Sequence, residues 1–289
     1  MSNEEQLQWE ARFRRPAAAA AFLAGVLLLA GTVVLLSIPE DRPGIEPRPD
    51  LFLSVNDSPG TLIFATALQA AAVLFMIFAF YYLFRAVVHR DPNIPRWFVF
   101  LVFAGPVMYA IAQILGAMTQ IDAAEIFADR TSTIGEDCPT IRGEAGADCA
   151  ADLLEDNANP IGIGLGLAGT VGTAFLFVML PLRARRAGLL SPFMSILGVI
   201  AGVLFVLPLI PAMPVILQAF WLGALGALFL GNWPGGRGPA WETGDADPWP
   251  TAAERRGLAP GGPGEPDAKP EPEPVPERPS SRKRRSKRG

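Results

Sequence analysis

Six long runs of apolar residues, free of charges, alternate with polar or charged connections along the first 233 residues of the chain. Each run has about 20 residues or slightly more, and at a rise of about 1.5 Å per residue such a helix crosses a hydrocarbon core of about 30 Å. The apolar residues form continuous blocks and lack the spacing of amphipathic helices in soluble proteins. The pattern therefore predicts six transmembrane helices, at about 17–38, 61–84, 97–118, 161–182, 189–209 and 214–233.

The composition changes abruptly after the last run. Of the 289 residues, 51% are hydrophobic, but from Pro234 the chain is rich in Pro, Gly and charge. Such a segment buries too little apolar surface to offset the entropy of ordering it. We therefore predict an all-α, polytopic membrane protein with a disordered C-terminal tail. Its predicted parts are an N-terminus at 1–16, a six-span domain at 17–233 with outer loops at 39–60 and 119–160, and a Pro-rich tail at 234–289.

The distribution of arginine predicts the orientation of the spans. The N-terminus and the second and fourth connections hold nine arginines, whereas the two long connections on the opposite side hold four. Because short cytoplasmic segments carry the excess of positive charge, we predict that both termini are cytoplasmic. The first run is longer than the apolar part of a secretory signal, so we interpret it as a retained span. We expect a multi-pass protein of the plasma membrane, and the preference for arginine over lysine favours a bacterial one.

The two cysteines, Cys138 and Cys149, both fall in the longer outer loop. Thiols outside the cytoplasm tend to oxidise, so a pair this close in sequence predicts a structural disulfide. Free thiols, or a redox or metal site, are the alternatives. Metal binding would require more ligands than two thiols, and the loop contains no histidine. The loop also carries ten acidic residues without the spacing of a calcium-binding loop, so we interpret it as a solvated acidic connection.

Small residues recur on one face of the fourth predicted span. The positions follow the spacing i, i+4, i+7 and i+11, and they are Gly162, Gly166, Gly169 and Thr173. Such a stripe allows the backbone of a neighbouring helix to approach closely. Helix packing is therefore the first interpretation, and a groove that lines a substrate path is the second. The same glycines match a dinucleotide-binding motif by letter only, because no strand precedes them.

Three glutamines are the most notable polar residues within the predicted spans. Gln69, Gln113 and Gln218 lie about 12, 8 and 6 Å from the outer ends of their spans, at about 1.5 Å per residue. All three therefore occupy the outer half of the predicted bundle. They predict either hydrogen bonds between helices or a shallow polar pocket that opens to the outside.

A basic cluster ends the chain. Its residues are Arg282, Lys283, Arg284, Arg285, Lys287 and Arg288. On a cytoplasmic tether these charges would be attracted to anionic lipid headgroups, at about 1 kcal/mol per residue near the surface. A solubilising end and a contact with RNA are the alternatives, but no specific nucleic-acid partner is expected.

The chemistry missing from the predicted spans limits the function classes. No Asp, Glu, Lys, Arg or His falls near the middle of any span, although ion-coupled carriers and intramembrane enzymes usually need such a group. The lone histidine, His89, has no catalytic partner nearby in sequence. We therefore expect no enzyme activity and no cofactor. The first hypothesis is a structural, interaction or accessory protein with a membrane-protein partner or a second copy. The alternative is a small-solute transporter or channel-like protein that uses the outer glutamines.

Overall fold

A computed structural model describes residues 2–38, 47–95, 97–132, 143–207, 213–234 and 236–249. All regular secondary structure in these ranges is helical, so the all-α prediction is confirmed there. The helices are α1 (Asn3–Leu36), α2 (Pro47–Asp57), α3 (Pro59–Arg90), α4 (Phe98–Ser132), α5 (Gly143–Asp156), α6 (Pro160–Arg186), α7 (Pro192–Val206), α8 (Met213–Leu230) and the short α9 (Ala240–Thr243).

Five of these helices, α1, α3, α4, α6 and α8, are long and apolar enough to cross a membrane. Large apolar side chains stand exposed on their outer faces, including Leu74, Phe100 and Leu167. Exposed apolar side chains suit contact with lipid. A long helix also satisfies its own backbone hydrogen bonds, which a membrane interior requires. The prediction of a membrane-embedded helical protein is therefore confirmed at this level.

The fifth predicted span, at 189–209, corresponds to the shorter helix α7. This helix has 15 residues, and at about 1.5 Å per residue it covers about 22 Å. It begins at Pro192 after Ser191, whose hydroxyl accepts a hydrogen bond from the Met194 backbone nitrogen. A proline is favourable at the first helical position, because the N–H that it lacks would have no hydrogen-bond partner within the helix there. Residues 208–212 lie outside the described ranges.

The helices pack as one bundle in which α1 lies against α3 and α8, α4 against α3 and α6, and α7 between α6 and α8. We call its two ends the terminal end and the cap end. The first residues of α1 and residues 236–249 meet at the terminal end, where the Asn3 amide nitrogen donates to an Asp245 carboxylate oxygen at 2.9 Å. Helices α2 and α5 lie at the cap end, and they pack on α4 and on each other.

The structure at the cap end corrects the prediction of outer loops at 39–60 and 119–160, and the interpretation of the longer one as a solvated acidic connection. Helix α4 extends past the predicted span to Ser132, and α2 and α5 replace much of the two loops. Together these helices bury a second apolar core that includes Phe52, Phe127 and Leu153. The acidic composition conceals this core, because the apolar residues of α5 recur at helical spacing on one face. We refer to α2, α5 and the last turns of α4 as the cap.

Cys149 belongs to this second core and is disulfide-bonded. Cys138, the partner that the sequence predicts, lies outside the described residues. A disulfide is thus present on α5. In the chain-entropy account, such a link stabilises a fold by limiting the freedom of the unfolded chain.

The predicted start of the disordered tail at Pro234 is wrong for residues 236–249. Trp241 is buried, and its indole nitrogen donates to the Leu189 carbonyl oxygen at 2.9 Å. Its ring stacks on Tyr82, with the ring centroids 5.8 Å apart. The local composition favours disorder, but a tryptophan buried by tertiary contacts offsets it. Residues 250–289, including the basic cluster at Arg282 to Arg288, lie outside the described part of the chain.

Candidate binding cavity

The three predicted glutamines lie around one cavity in the half of the bundle nearer the cap. Gln69 is on α3, Gln113 on α4 and Gln218 on α8, and all three line the cavity. The Gln113 amide nitrogen donates to the Gln69 amide oxygen at 3.3 Å. Both sequence interpretations thus have a counterpart here: a hydrogen bond between helices, and a pocket shared by all three side chains.

The cavity has a volume of about 270 Å³ and is lined by residues from six helices. The 18 described residues that line it include three hydrogen-bonding side chains besides the glutamines: Tyr109, Thr170 and Thr173. The other lining residues are apolar: Ala24, Leu28, Ala70, Ala72, Val73, Met76, Ala110, Phe177, Phe205, Pro214, Val215 and Leu222. A mainly apolar concave site with a few polar groups is the usual form of a small-molecule site.

Two buried polar groups on the cavity wall have no hydrogen-bond partner among the described residues. Gln218 is 4% exposed and Thr173 is 1% exposed. The unpaired atoms are the Gln218 amide nitrogen and the Thr173 hydroxyl oxygen. Leaving such a group unpaired in the interior costs about 1–3 kcal/mol. These atoms would therefore gain from a hydrogen-bonding partner inside the cavity.

A second, larger cavity adjoins the first on the side of the cap. Its volume is about 680 Å³, and it shares four lining residues with the first cavity: Gln69, Tyr109, Gln113 and Thr170. Its wall also includes Val55 from α2 and Leu154 from α5. The described residues that line the two cavities include no charged one. The cap thus forms part of the wall of the larger cavity.

The small-residue stripe brings α6 close to α4 beside this cavity. A Cβ atom at Gly169 would overlap the Tyr109 backbone, whereas one at Gly166 would make an ordinary contact with the Ala112 Cβ atom at 3.6 Å. Gly162 faces Leu115, and Thr173 lines the cavity. The stripe therefore lies against a helix of the same chain. The close approach at Gly169 also places Tyr109 next to Thr170 and Thr173.

Tyr109 and Thr170 are residues of the cavity wall that the sequence analysis did not identify. Each lies at helical spacing from a residue that was predicted from the sequence, since Tyr109 precedes Gln113 by four positions and Thr170 precedes Thr173 by three. Residues at these spacings lie on the same helix face. A search for polar side chains in register with the glutamines and the stripe would have found both.

A second polar site lies at the terminal end, and we call it the tryptophan cluster. It consists of Trp9, Glu10, Tyr82, Arg90 and Trp241. An Arg90 guanidinium nitrogen contacts a Glu10 carboxylate oxygen at 2.6 Å, and the two side chains are 0% and 2% exposed. Two other Arg90 nitrogens donate to the carbonyl oxygen of residue 240 at 3.0 and 2.7 Å. The cluster therefore holds α1, α3 and residues 236–249, which we call the C-terminal segment, together.

In the sequence, Arg90 is one of the arginines that predict orientation, and nothing there predicts this pair. Glu10 and Arg90 are distant in sequence, and nothing near either residue indicates a partner. The Tyr82 hydroxyl also donates to the Glu10 backbone oxygen at 3.1 Å, and the Gln6 amide nitrogen donates to its carboxylate at 2.8 Å. Since Glu10 and Arg90 are buried and paired with each other, the cluster suits a structural role.

The described residues contain no group of three or more His, Cys, Asp or Glu side chains placed to hold a metal ion. His89 contacts the Asn3 amide oxygen at 2.9 Å at the surface of the terminal end. The cavity wall offers amides and hydroxyls, which are groups that bind a molecule by hydrogen bonding.

The fold and the cavity define an all-helical, membrane-embedded protein with a mainly apolar cavity that carries a few polar groups near one end of its bundle. Comparison with protein-family models, with curated proteins and with solved structures gives no match for this chain.

Proposed function

We propose that the chain crosses the plasma membrane six times, with its terminal end in the cytoplasm and its cap outside. The arginine-rich connections around Arg90 and Arg183 belong to the terminal end, which agrees with the charge rule for cytoplasmic segments. Helix α7 supports a sixth crossing, because it packs between α6 and α8 and continues the alternation of the helices. A disulfide in the cap agrees with an oxidising compartment on that side.

This orientation has a direct test. A single cysteine in place of Ser280 should react with an impermeant thiol reagent only after the cells are opened, whereas a cysteine in place of exposed Asp152 in α5 should react in intact cells. Reaction of the Ser280 variant in intact cells would contradict the proposed orientation.

We propose further that the protein binds a small solute from the outer side in the cavity of the three glutamines, as a transporter or channel-like protein would. One observation carries this proposal: glutamines from three helices and two unpaired buried polar groups surround a single cavity. The larger cavity beneath the cap supports access from outside, since the two cavities share four lining residues. Hydrogen bonding alone between helices would not account for the unpaired groups on Gln218 and Thr173.

Aromatic side chains close the cavity on the side that faces the terminal end. Phe80, Phe177 and Trp221 pack edge to face, with ring centroids between 5.0 and 5.8 Å apart. We call these three residues the aromatic floor. They follow the cavity-lining residues Met76 and Gln218 toward the terminal end. The geometry therefore favours binding from the cap side, and passage would require the aromatic floor to open.

The test is retention of a bound molecule by the purified protein. The full chain is extracted from native membranes in mild detergent, and small molecules that co-purify are identified by mass spectrometry. Gln218→Leu should lose the molecule that the unmodified protein retains, because the variant removes a polar group from the cavity wall. The matched control is Gln8→Leu, which changes an exposed glutamine at the terminal end. Equal retention by both variants would contradict the proposal.

The structural, interaction or accessory role, which was the first hypothesis from the sequence, is the second candidate here, and the cap is the observation that favours it. Three acidic residues at helical spacing stand exposed on α5: Asp148, Asp152 and Glu155. A basic partner outside the membrane would suit this face, because opposite charges steer association. Neutral amides at these three positions should then abolish co-purification of a partner, whereas Glu4→Gln at the terminal end should not. Unchanged co-purification would remove this support.

A further inference from the structure

The walls of both cavities exclude a charged ligand. Among the described residues that line the two cavities there is no Asp, Glu, Lys, Arg or His. An ion placed there would lose its water without gaining a counter-charge, which is strongly unfavourable in an apolar interior. The amides offer only partial charges in exchange. The molecule that suits this site is therefore uncharged.

The body of the ligand is mainly apolar. The cavity of the three glutamines, which we call the inner cavity, has 18 described lining residues, and twelve of them are apolar, with Val73, Met76 and Phe177 among the larger ones. Apolar surface gains free energy in proportion to the area that it removes from water. A sugar or another polyhydroxylated solute would lose more hydrogen bonds with water than the six polar side chains could replace.

The unpaired wall groups define the polar end of the ligand. The Gln218 amide nitrogen is a donor, and the Thr173 hydroxyl can donate or accept. Both are buried, and both side chains line the same cavity. A carbonyl, ether or hydroxyl oxygen on the ligand would satisfy the donor. A pure hydrocarbon would leave it unpaired.

The cavity volume limits the size of the ligand. An engineered apolar protein cavity of about 150 Å³ holds one benzene molecule. A cavity of about 270 Å³ is less than twice as large, so by the same scale it holds one aromatic ring with a short side chain.

We propose that the inner cavity binds a small, neutral, mainly apolar molecule with one hydrogen-bond-accepting oxygen, which pairs with Gln218. This inference rests on the proposed function, because it names the class of solute for the same cavity. A site for this class of molecule would not suit a carrier of ions, amino acids or sugars.

The test uses the full chain in lipid nanodiscs and four probes of similar size. Benzylacetone is neutral with a carbonyl oxygen, butylbenzene is a hydrocarbon, hydrocinnamate is an anion and phenylpropylammonium is a cation. The readout is protection of a cysteine in place of Ala110, a cavity-lining residue, against a small thiol reagent. Benzylacetone should protect at a concentration about tenfold lower than butylbenzene, and the two ions should not protect. Gln218→Leu, added to the same cysteine variant, should remove the advantage of the ketone, whereas Gln8→Leu should preserve it.

The outcomes separate this inference from the proposed function. Protection by an ion as strong as that by benzylacetone, or equal protection by the ketone and the hydrocarbon, would overturn the ligand class and leave the cavity as a binding site. Absence of protection by every probe would overturn both proposals, provided that the reagent labels the cysteine. If the cysteine does not react, the thermal unfolding midpoint of the unmodified chain with each probe replaces the readout, and the same ranking is expected.

Discussion

The buried pair of Glu10 and Arg90 offers the sharpest test of how the terminal end is held. Both side chains are almost completely buried, and Arg90 also donates to the carbonyl oxygen of residue 240. Removal of one member leaves the other charge buried without its counter-charge. For a buried pair this costs about 3–5 kcal/mol, whereas replacement of both members by neutral groups costs much less.

We therefore expect Glu10→Gln and Arg90→Met each to lower the free energy of unfolding by about 3–5 kcal/mol. The double variant should lose clearly less than the sum of the two losses, with a coupling energy of about 2–3 kcal/mol. The loss will not vanish, because Arg90→Met also removes the donors to residue 240. Arg186→Met, an exposed arginine at the same end, is the control and should change stability by less than about 0.5 kcal/mol.

The assay is equilibrium unfolding of the full chain in mixed micelles, followed by tryptophan fluorescence and extrapolated to zero denaturant. A second readout is the rate at which a protease cuts within residues 236–249, since Arg90 holds this segment by its backbone. Additive losses from the two single variants would refute the reasoning, because independent effects leave no coupling energy. Equal proteolysis of Arg90→Met and the control would refute the link to the C-terminal segment.

Three further predictions concern the other contacts of the bundle and the cap. Gly169→Ala should lower the free energy of unfolding by about 1–3 kcal/mol, because the added methyl group overlaps the Tyr109 backbone; Gly166→Ala, measured in the same unfolding assay, should be nearly neutral, and equal losses would contradict the close contact. Trp241→Ala should cost about 3–5 kcal/mol and speed proteolysis of residues 236–249; an unchanged cleavage rate would contradict the docking of this segment. Cys149→Ser should lower the stability of the cap by about 2–4 kcal/mol, read from hydrogen exchange in α5, and equal protection in the variant would contradict a stabilising disulfide.

The helices and the depth of the glutamines could be predicted because each depends on local sequence. A run of about 20 apolar residues has few alternatives to a membrane helix. A residue's distance from the end of its run fixes its depth through the helical rise, and Gln69, Gln113 and Gln218 do lie in the same half of the bundle. The stripe on α6 was visible for the same reason, since helical spacing places its residues on one face.

The neighbours of each helix could not be predicted, because they depend on contacts distant in sequence. Nothing near Glu10 indicates a pairing with Arg90, and a buried ion pair is recognisable only when both residues are placed. The same holds for Trp241, whose surroundings in sequence are rich in Pro and Gly. The cap was missed for another reason: a count of acidic residues hides the apolar spacing that buries Leu153. Composition averages over a helix face, whereas burial depends on it.

The two polar sites of the bundle differ in a way that bears on function. In the tryptophan cluster, the carboxylate of Glu10 and the guanidinium of Arg90 pair with each other and with backbone groups. In the cavity, by contrast, polar atoms of Gln218 and Thr173 stay unpaired although they are equally buried. Both sites would cost stability if left unsatisfied, and only one of them is satisfied within the described chain. The aromatic floor separates them, and the Trp221 indole nitrogen anchors it by donating to the Met194 carbonyl oxygen at 2.9 Å. Gln6, Arg14 and Arg237 at the terminal end also keep unpaired buried atoms, but those of Gln218 and Thr173 belong to side chains on the wall of a cavity. This placement on a cavity wall is what supports the proposal of binding from the cap side.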